Sequence, residues 1–343
     1  MATTASASRS MPPGAVCEAA VVEICDAAAI RAATPWPALM EAIAEALADP
    51  RAFAPERHVH PLPLPGGSEG SLLVMPAWRV GGAVGVKAVT YVPTNAGGPT
   101  PTINAGFLLF DGRTGRLTAT LDGDELTVRR TAAGSALAAR YLARGDADRL
   151  LVVGTGRLAP AVALAHAHGR NLAAVEVWGR HAGRARHVVD SLVREGLPAV
   201  PAADLNAAVG RADLISCVTG ATEPLIAGRL LRPGVHVDLI GGFRPDMREA
   251  DDETIRRSAV FVDTRPGALR SGDLSQPLAE GMIGASAILG DLADLVTGRH
   301  AGRESPEQIT LFKSAGFALA DLATARLVWM RCRSHEAEER AES

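Results

Sequence analysis

Apolar residues recur along the chain with two different periods, and the change between them divides it. In "AAAIRAATPWPALMEAIAEALA", residues 27–48, they return at three and four positions, which predicts helix. The Pro-Trp-Pro in its middle separates two short helices, because an internal proline removes a hydrogen bond and clashes with the turn before it. The short apolar runs "SLLVMPAW", "GVKAVTYVP", "INAGFLLFD" and "RLTATLDGD" are divided by Gly, Pro and Asn clusters and predict strands. "DGRTG" reads as the hairpin turn between the last two. "ELTVRRTAAGSALAARYLAR" then predicts a long helix whose small-residue face suits close packing.

From Arg149 strand and helix alternate. "RLLVVGTGRLAPAVALAHAHG" is strand, glycine turn and helix; "AAVEVWGR" is the next strand and "AGRARHVVDSLVREG" the next helix. "ADLISCVTG", "GVHVDLIGG" and "AVFVDT" are further strands. This spacing implies right-handed βαβ units and a parallel sheet. The helical part of "ITLFKSAGFALADLATARLVWMRC" is placed to return onto the first half.

Bulk composition narrows the class. A length of 343 residues suggests two domains, and 47% apolar with 21% charged residues is that of a core-forming globular chain. A net charge of −3 argues against a nucleic-acid binder, and no apolar run approaches the roughly 18 residues of a membrane span. "MATTASASRSMPPGA" lacks the apolar stretch of a secretory signal and reads as a disordered leader. Cys17, Cys25, Cys217 and Cys332 form no CxxC pair, which disfavours zinc or a disulfide framework and suits a reducing cytoplasm.

Of 35 Lys and Arg residues only Lys87 and Lys313 are lysine. Arginine never deprotonates, whereas a lysine's pKa moves on burial. Lys87 lies in the apolar run "GAVGVKAV", where a charge is costly unless paired or used. Lys313 has a simpler reading as the partner of a nearby acid, and no role is assigned to it.

Gly154, Gly156 and Ala159 form GxGxxA directly after a buried strand and before a helix. In that context the turn brings backbone N–H groups to a pyrophosphate, with Thr155, Arg157 and Leu158 in the same loop. The second strand ends at Arg180, followed by His181 and Arg184, and its one acid, Glu176, lies too early to meet a ribose. An arginine there accommodates a 2′-phosphate, so the expected cofactor is NADPH, without excluding NADH. Arg57, Lys87 and Arg130 are the cations suited to gripping a substrate carboxylate. Arg130 is placed at the start of a helix, beside Thr131, where anions are favoured.

The segments "GVKAV", "DGRTG", "RTAAGSALAARYLA", "VVGTGRLA", "GGFRPDMREAD", "SGDL" and "ITLFKSAGFALADLATA", between about Ala54 and Val328, resemble the ornithine cyclodeaminase/μ-crystallin family of NAD(P)-dependent enzymes. The resemblance implies an α/β fold: a Rossmann doubly wound parallel sheet plus a discontinuous α+β domain for dimerisation and substrate. The expected boundaries are 15–145 completed by 312–335 for that domain and 146–311 for the Rossmann domain, with 1–14 and 336–343 disordered. It implies a homodimer. It also puts Arg57, Lys87 and Arg130 on substrate-carboxylate and catalytic positions, and Thr102, Thr131, Thr219 and Ser314 on or near cofactor contacts. Phe243, counted with the cofactor contacts, stands where the cyclodeaminases carry the Asp that handles a distal amine. Together with the Arg244–Glu249 segment, this is most similar to the reductases of the cyclic imino acids Δ1-pyrroline-2-carboxylate and Δ1-piperideine-2-carboxylate. Alternatives are a cyclodeaminase, an alanine- or opine-type dehydrogenase, and a μ-crystallin-like NADPH-dependent binding protein.

Overall fold

A computed structural model describes residues 22–342; the expected leader 1–14 and Cys17 lie outside them. The chain opens with β1 (Glu23–Cys25), α1 (Ala27–Ala33), α2 (Trp36–Ala48), β2 (Ala52–Phe53), β3 (His58–Pro63), β4 (Glu69–Arg79), β5 (Ala83–Tyr91), β6 (Ile103–Asp111) and β7 (Leu117–Asp122). Pro35 precedes α2 and the two helices are separate, as the Pro-Trp-Pro requires. β4 to β7 form an antiparallel meander; β1 adds in parallel to β7, and β2 and β3 both pair with β4. Register aligns Met75, Lys87, Phe107 and Leu121 in one row across four strands. All of them are buried, so the alternation that makes a half-buried strand drives a lysine into the core.

The long helix α3 (Gly123–Leu142) follows, and then the second sheet. Its elements are β8 (Arg149–Val153), α4 (Leu158–Ala167), β9 (Ala174–Trp178), α5 (Ala182–Arg194), β10 (Ala199–Pro201), α6 (Leu205–Val209), β11 (Leu214–Cys217) and β12 (His236–Leu239). After them come α7 (Asp252–Arg256), β13 (Ala259–Val262), α8 (Arg265–Ala268), α9 (Gly272–Ala279), β14 (Ile288–Asp291), α10 (Leu292–Val296), β15 (Thr310–Lys313) and α11 (Ala318–Glu342). The strand order is β10-β9-β8-β11-β12-β15-β13-β14, and every pairing is parallel. β8, β11 and β12 are buried on both faces, as a helix-covered parallel sheet demands, with Ser216, His236 and Asp238 as polar exceptions to their apolar runs. The order reverses between β8 and β11, which opens a crevice at their carboxyl ends.

α11 returns to the first sheet: Ala318, Leu322, Ala325 and Val328 share a core with Met75, Phe107 and Leu121. The tail expected to fray from 336 is instead the end of this helix, in keeping with the helix-forming "EAEERAE". No helix among the described residues is long and apolar enough to cross a membrane. Two of the scattered cysteines, Cys25 and Cys332, meet with Glu23, their ligand atoms within 4.8 Å of one another. Burial first, then the nearby Glu23, pushes the Cys25 thiol up to about 12, which favours its protonated form.

α3 is shared by both sheets. Its Ser135 donates to Asp238 of β12, and His166 of α4 stands 3.3 Å from Ser135 Oγ and 3.2 Å from Ser216 Oγ of β11. The helix begins at Gly123, capped by the Asp122 carboxylate accepting Glu125 N–H at 2.8 Å. Arg130 is therefore about two turns inside the helix, not at its start, and the anion-favouring terminus does not reach it. A Cβ at Gly123 would lie 2.5–2.7 Å from the backbone of Ala105 and Gly106 in β6. Replacing Gly123 by Ala is expected to destabilise the protein by about 1–3 kcal/mol through overpacking against rigid backbone, read by urea denaturation.

Candidate active site

The turn after β8 is built for close approach. Gly154 has φ +130°, which side chains avoid, and a Cβ there would meet Val218 O at 2.8 Å. A Cβ at Gly156 would meet nothing, leaving its backbone open to a ligand. A cleft of about 570 Å³ runs over the strand ends, lined by Gly154, Thr155, Gly156, Thr219 and Gly220 and, at its far end, by Arg180, His181 and Arg184. Glu176 is turned into a pair with Arg211 at 2.7 Å, so it is not at hand for a ribose; the acid on the cleft wall is Glu223. Arg157 caps α4 and reaches Asp124 and Glu125 of α3 at 3.5 and 3.8 Å, with Leu158 opening the helix. Glycine backbone, a helix start and three cations fit a dinucleotide and its phosphates.

The cations of the first half converge. Lys87 Nζ is 2.8 Å from Asp321 Oδ1 and 3.4 Å from Thr127 Oγ1, and Arg130 Nε is 3.0 Å from the same Asp321 oxygen. Arg57 Nη2 donates to Ala315 O at 3.2 Å, while the Arg130 fork lies where a side chain on Gly316 would be, 2.7 Å from its Cβ position. Both guanidiniums thus meet at the Ala315–Gly316 turn. Gly316 has φ +83°, and Asp263 ties the turn down by accepting from Ser314 Oγ at 3.0 Å and from the Ala315 and Gly316 amides. Burial, aided by Arg130, lowers the Lys87 pKa to about 8, with Asp321 pulling the other way. Burial likewise lowers that of Arg57, opposed by Asp263.

Two cavities share Arg57. One, of about 200 Å³, lies between Arg57, Met75, Thr264, Gly316 and Phe317. The other, about 440 Å³, has Val59, Leu73, Tyr91, Phe243 and Leu269 as its apolar walls. Leu73, Met75, Lys87 and Tyr91 all point to the same sheet face, so the second cavity continues the row that carries Lys87.

Other expected residues fall as follows. Phe243 lines the Arg57 cavity rather than the cleft over the strand ends. Its loop stacks Arg244 over Tyr91, with Nη1 2.9 Å from the hydroxyl. Thr219 spends its amide and hydroxyl on Glu249, at 2.7 and 2.8 Å, and Thr131 is buried in α3. Thr102 lies just past the Tyr91–Ile103 end of the β5–β6 pair, its carbonyl accepting from Val92, well along the strand from Lys87.

Sequence reasoning missed the acids. Asp321 stands alone in the apolar run "GFALADLATA", the same signal that singled out Lys87, and it went unread. Glu249 accepts from Gly241 and Gly242 as well as Thr219, and Asp273 accepts from the Glu249 amide at 2.7 Å. Lys313 pairs with Asp273 at 2.9 Å, both fully buried, so the second lysine does hold an acid. Burial raises the Glu249 pKa and Lys313 opposes the rise.

The model of the ornithine cyclodeaminase/mu-crystallin family matches residues 23–336. A Δ1-pyrroline-2-carboxylate reductase of Paracoccus denitrificans is 42% identical over 267 residues, 77% of this chain and 84% of that protein. The Thermococcus litoralis Δ1-pyrroline-2-carboxylate reductase, solved with NADH and L-proline, superposes with a TM-score of 0.87 at 30% identity, covering 92% of this chain and 98% of its own. An archaeal alanine dehydrogenase dimer with bound NAD gives 0.85 at 26% identity, covering 92% and 97%.

Lys313→Met is expected to lower stability by about 3–5 kcal/mol, because it leaves the Asp273 carboxylate buried and uncompensated. Chemical denaturation measures it, and Lys313→Met/Asp273→Asn, which removes the charge while keeping an acceptor for the Glu249 amide, should recover part of the loss.

Proposed function

The chain belongs to the ornithine cyclodeaminase/mu-crystallin family, and on that footing we propose that it reduces cyclic imino acids, Δ1-pyrroline-2-carboxylate to L-proline and Δ1-piperideine-2-carboxylate to L-pipecolate, with NADPH. The observation that carries the reading is that Arg57 and Arg130 meet at one turn, with Lys87 joined to Arg130 through Asp321, beside an apolar cavity lined by Phe243. Two guanidinium forks at Ala315–Gly316 suit a carboxylate, which accepts such donors bidentately. Val59, Leu73 and Phe243 suit the ring and offer nothing to a distal ammonium, which disfavours ornithine.

A nicotinamide held in the cleft would supply a hydride to the imine carbon, its oxidation balancing the reduction of the C=N bond. The π pair of that bond moves to nitrogen, which must carry a proton for the addition to proceed readily. Lys87, an ammonium at neutral pH with its pKa near 8, donates that proton: its N–H breaks as the substrate N–H forms. A guanidinium could not, since it holds its proton at any physiological pH. Arg180, His181 and Arg184 supply the cationic end of the cleft that an additional phosphate on the ribose calls for.

The outer face of the first sheet supports a homodimer. Pro76, Val86 and Leu108 form an apolar row, Trp78, Val84 and Phe110 another, and Trp78 and Leu108 are 36% and 40% exposed. Such a patch favours a self-complementary partner. The buried thiols of Cys25 and Cys217 suit a cytoplasmic setting.

Three outcomes test the reading. NADPH oxidation should occur with the cyclic imines and not with pyruvate plus ammonia, and NAD+ should not support ornithine deamination; the reverse pattern refutes it. Lys87→Met should cut turnover by about 10²-fold or more, the size of a positioned acid's contribution, while NADPH affinity by fluorescence titration stays unchanged. Wild-type kcat/KM should fall as pH rises through about 8, where Lys87 loses its proton. Separately, Arg180→Glu should shift preference from NADPH toward NADH in kcat/KM.

A further inference from the structure

Asp321 lies at the centre of the basic cluster, and no step above uses it. It sits in the first turn of α11 and is wholly buried. One of its oxygens serves two cations, Lys87 Nζ at 2.8 Å and Arg130 Nε at 3.0 Å. Its other oxygen is buried without a hydrogen-bond partner among the described residues. Leaving a carboxylate oxygen so placed is costly, and such a cost persists where the charge has a task.

We propose that Asp321 is a positioning residue of the reductase site: it ties Lys87 and Arg130 to a single carboxylate oxygen and keeps the lysine in its ammonium form until substrate arrives. The proposal rests on the reading of Lys87 as the acid at the imine nitrogen. The charged groups around that ammonium are Asp321 on α11, Arg130 on α3 and Arg57 ahead of β3, with Asp263 at the end of β13 acting on Arg57. Burial and both guanidiniums favour the neutral amine. Of these groups, Asp321 alone contacts Lys87 and favours the charged form.

The charge balance leaves room for an anion. Lys87, Arg130 and Arg57 bring three positive charges, against one on Asp321 and one on Asp263 at the turn where the two arginines meet, so one positive charge is left over. The surplus attracts a carboxylate, and binding that carboxylate strengthens the case for an ammonium at Lys87. Without Asp321 the free site would shed the lysine's proton before substrate came. Sharing one oxygen also sets their placement: Lys87 Nζ hydrogen-bonds to it, and Arg130 Nε, with no hydrogen-bond partner among the described residues, is held beside it by charge at 3.0 Å.

The test is the pH profile of cyclic-imine reduction in Asp321→Asn and Asp321→Glu, with NADPH titration confirming a folded protein. Asp321→Asn should move the alkaline limb of kcat/KM down by about one to three pH units, the effect of losing an opposite charge at contact. Turnover at pH 7 should then fall by about twofold for a shift of one unit to about a hundredfold for three, and recover toward wild type in acid, since a lower lysine pKa requires more acid to keep the ammonium. Asp321→Glu keeps the charge and should keep the limb in place while raising KM, as the longer arm displaces Arg130. A limb unmoved in Asp321→Asn, or moved equally in Asp321→Glu, overturns the proposal. If Asp321→Asn does not bind NADPH, Asp321→Glu decides alone: a shifted limb with unchanged KM is fatal. The pH dependence of L-proline binding, read by tryptophan fluorescence, repeats the comparison without turnover. An inactive wild type would thus refute the activity, and the Asp321 proposal would still face its own test.

Discussion

A buried ammonium must be paired, and this constraint organises both halves of the molecule. Taking a charge out of water costs several kcal/mol even after relaxation, so each lysine of the chain recruits an aspartate from far along the sequence. Lys87 on β5 meets Asp321 on α11, and Lys313 on β15 meets Asp273 on α9. The first pair requires the C-terminal helix to return across the first sheet, and the second binds the segment after β12 to the end of β15. The two pairs differ in what surrounds them. Arg130 and Arg57 leave the first with surplus positive charge beside a cavity, which suits an anionic ligand. Glu249 leaves the second with surplus negative charge, and backbone amides of Gly241, Gly242 and Thr219 absorb it. The same device therefore serves chemistry in one place and loop geometry in the other.

Much of this was legible in the chain because it is local. Short apolar runs between Gly, Pro and Asn clusters gave the strands β4 to β7 and marked Lys87 as a costly charge, and the apolar run of β8 followed by glycines marked the nucleotide turn. The breaks at Pro-Trp-Pro and "DGRTG" depend on nearest neighbours alone. What escaped is non-local. Arg57 and Ala315 are 258 positions apart, and no periodicity reports that they touch. Arg130 was placed at a helix start, whereas the Asp122 cap and the acids after it set the start about two turns earlier. Phe243 was assigned to the cofactor, yet the turn after β12 carries it to the Arg57 cavity. Asp321 could have been found by the argument applied to Lys87, since a lone charge in an apolar helix asks for the same explanation as one in an apolar strand.

One helix makes these parts a single site. α3 presses Gly123 against the backbone of β6, so its height over the Lys87 row is set by contact rather than by a flexible side chain. Farther along, Arg130 reaches the Ala315–Gly316 turn, and Ser135 enters the polar knot of Asp238, His166 and Ser216 under the second sheet. At its start Asp124 and Glu125 hold Arg157 of the glycine turn. Arg130 and the glycine turn of the strand-end cleft are thus both referenced to one rigid rod. Hydride transfer tolerates little error in the placement of donor and acceptor carbons, and positioning contributes much of the rate in such reactions. A shift of α3 would move Arg130 and Arg157 together, which preserves their spacing where two independent loops would not. That arrangement favours alanine and glycine along α3, because only small side chains let the helix lie close to both sheets at once.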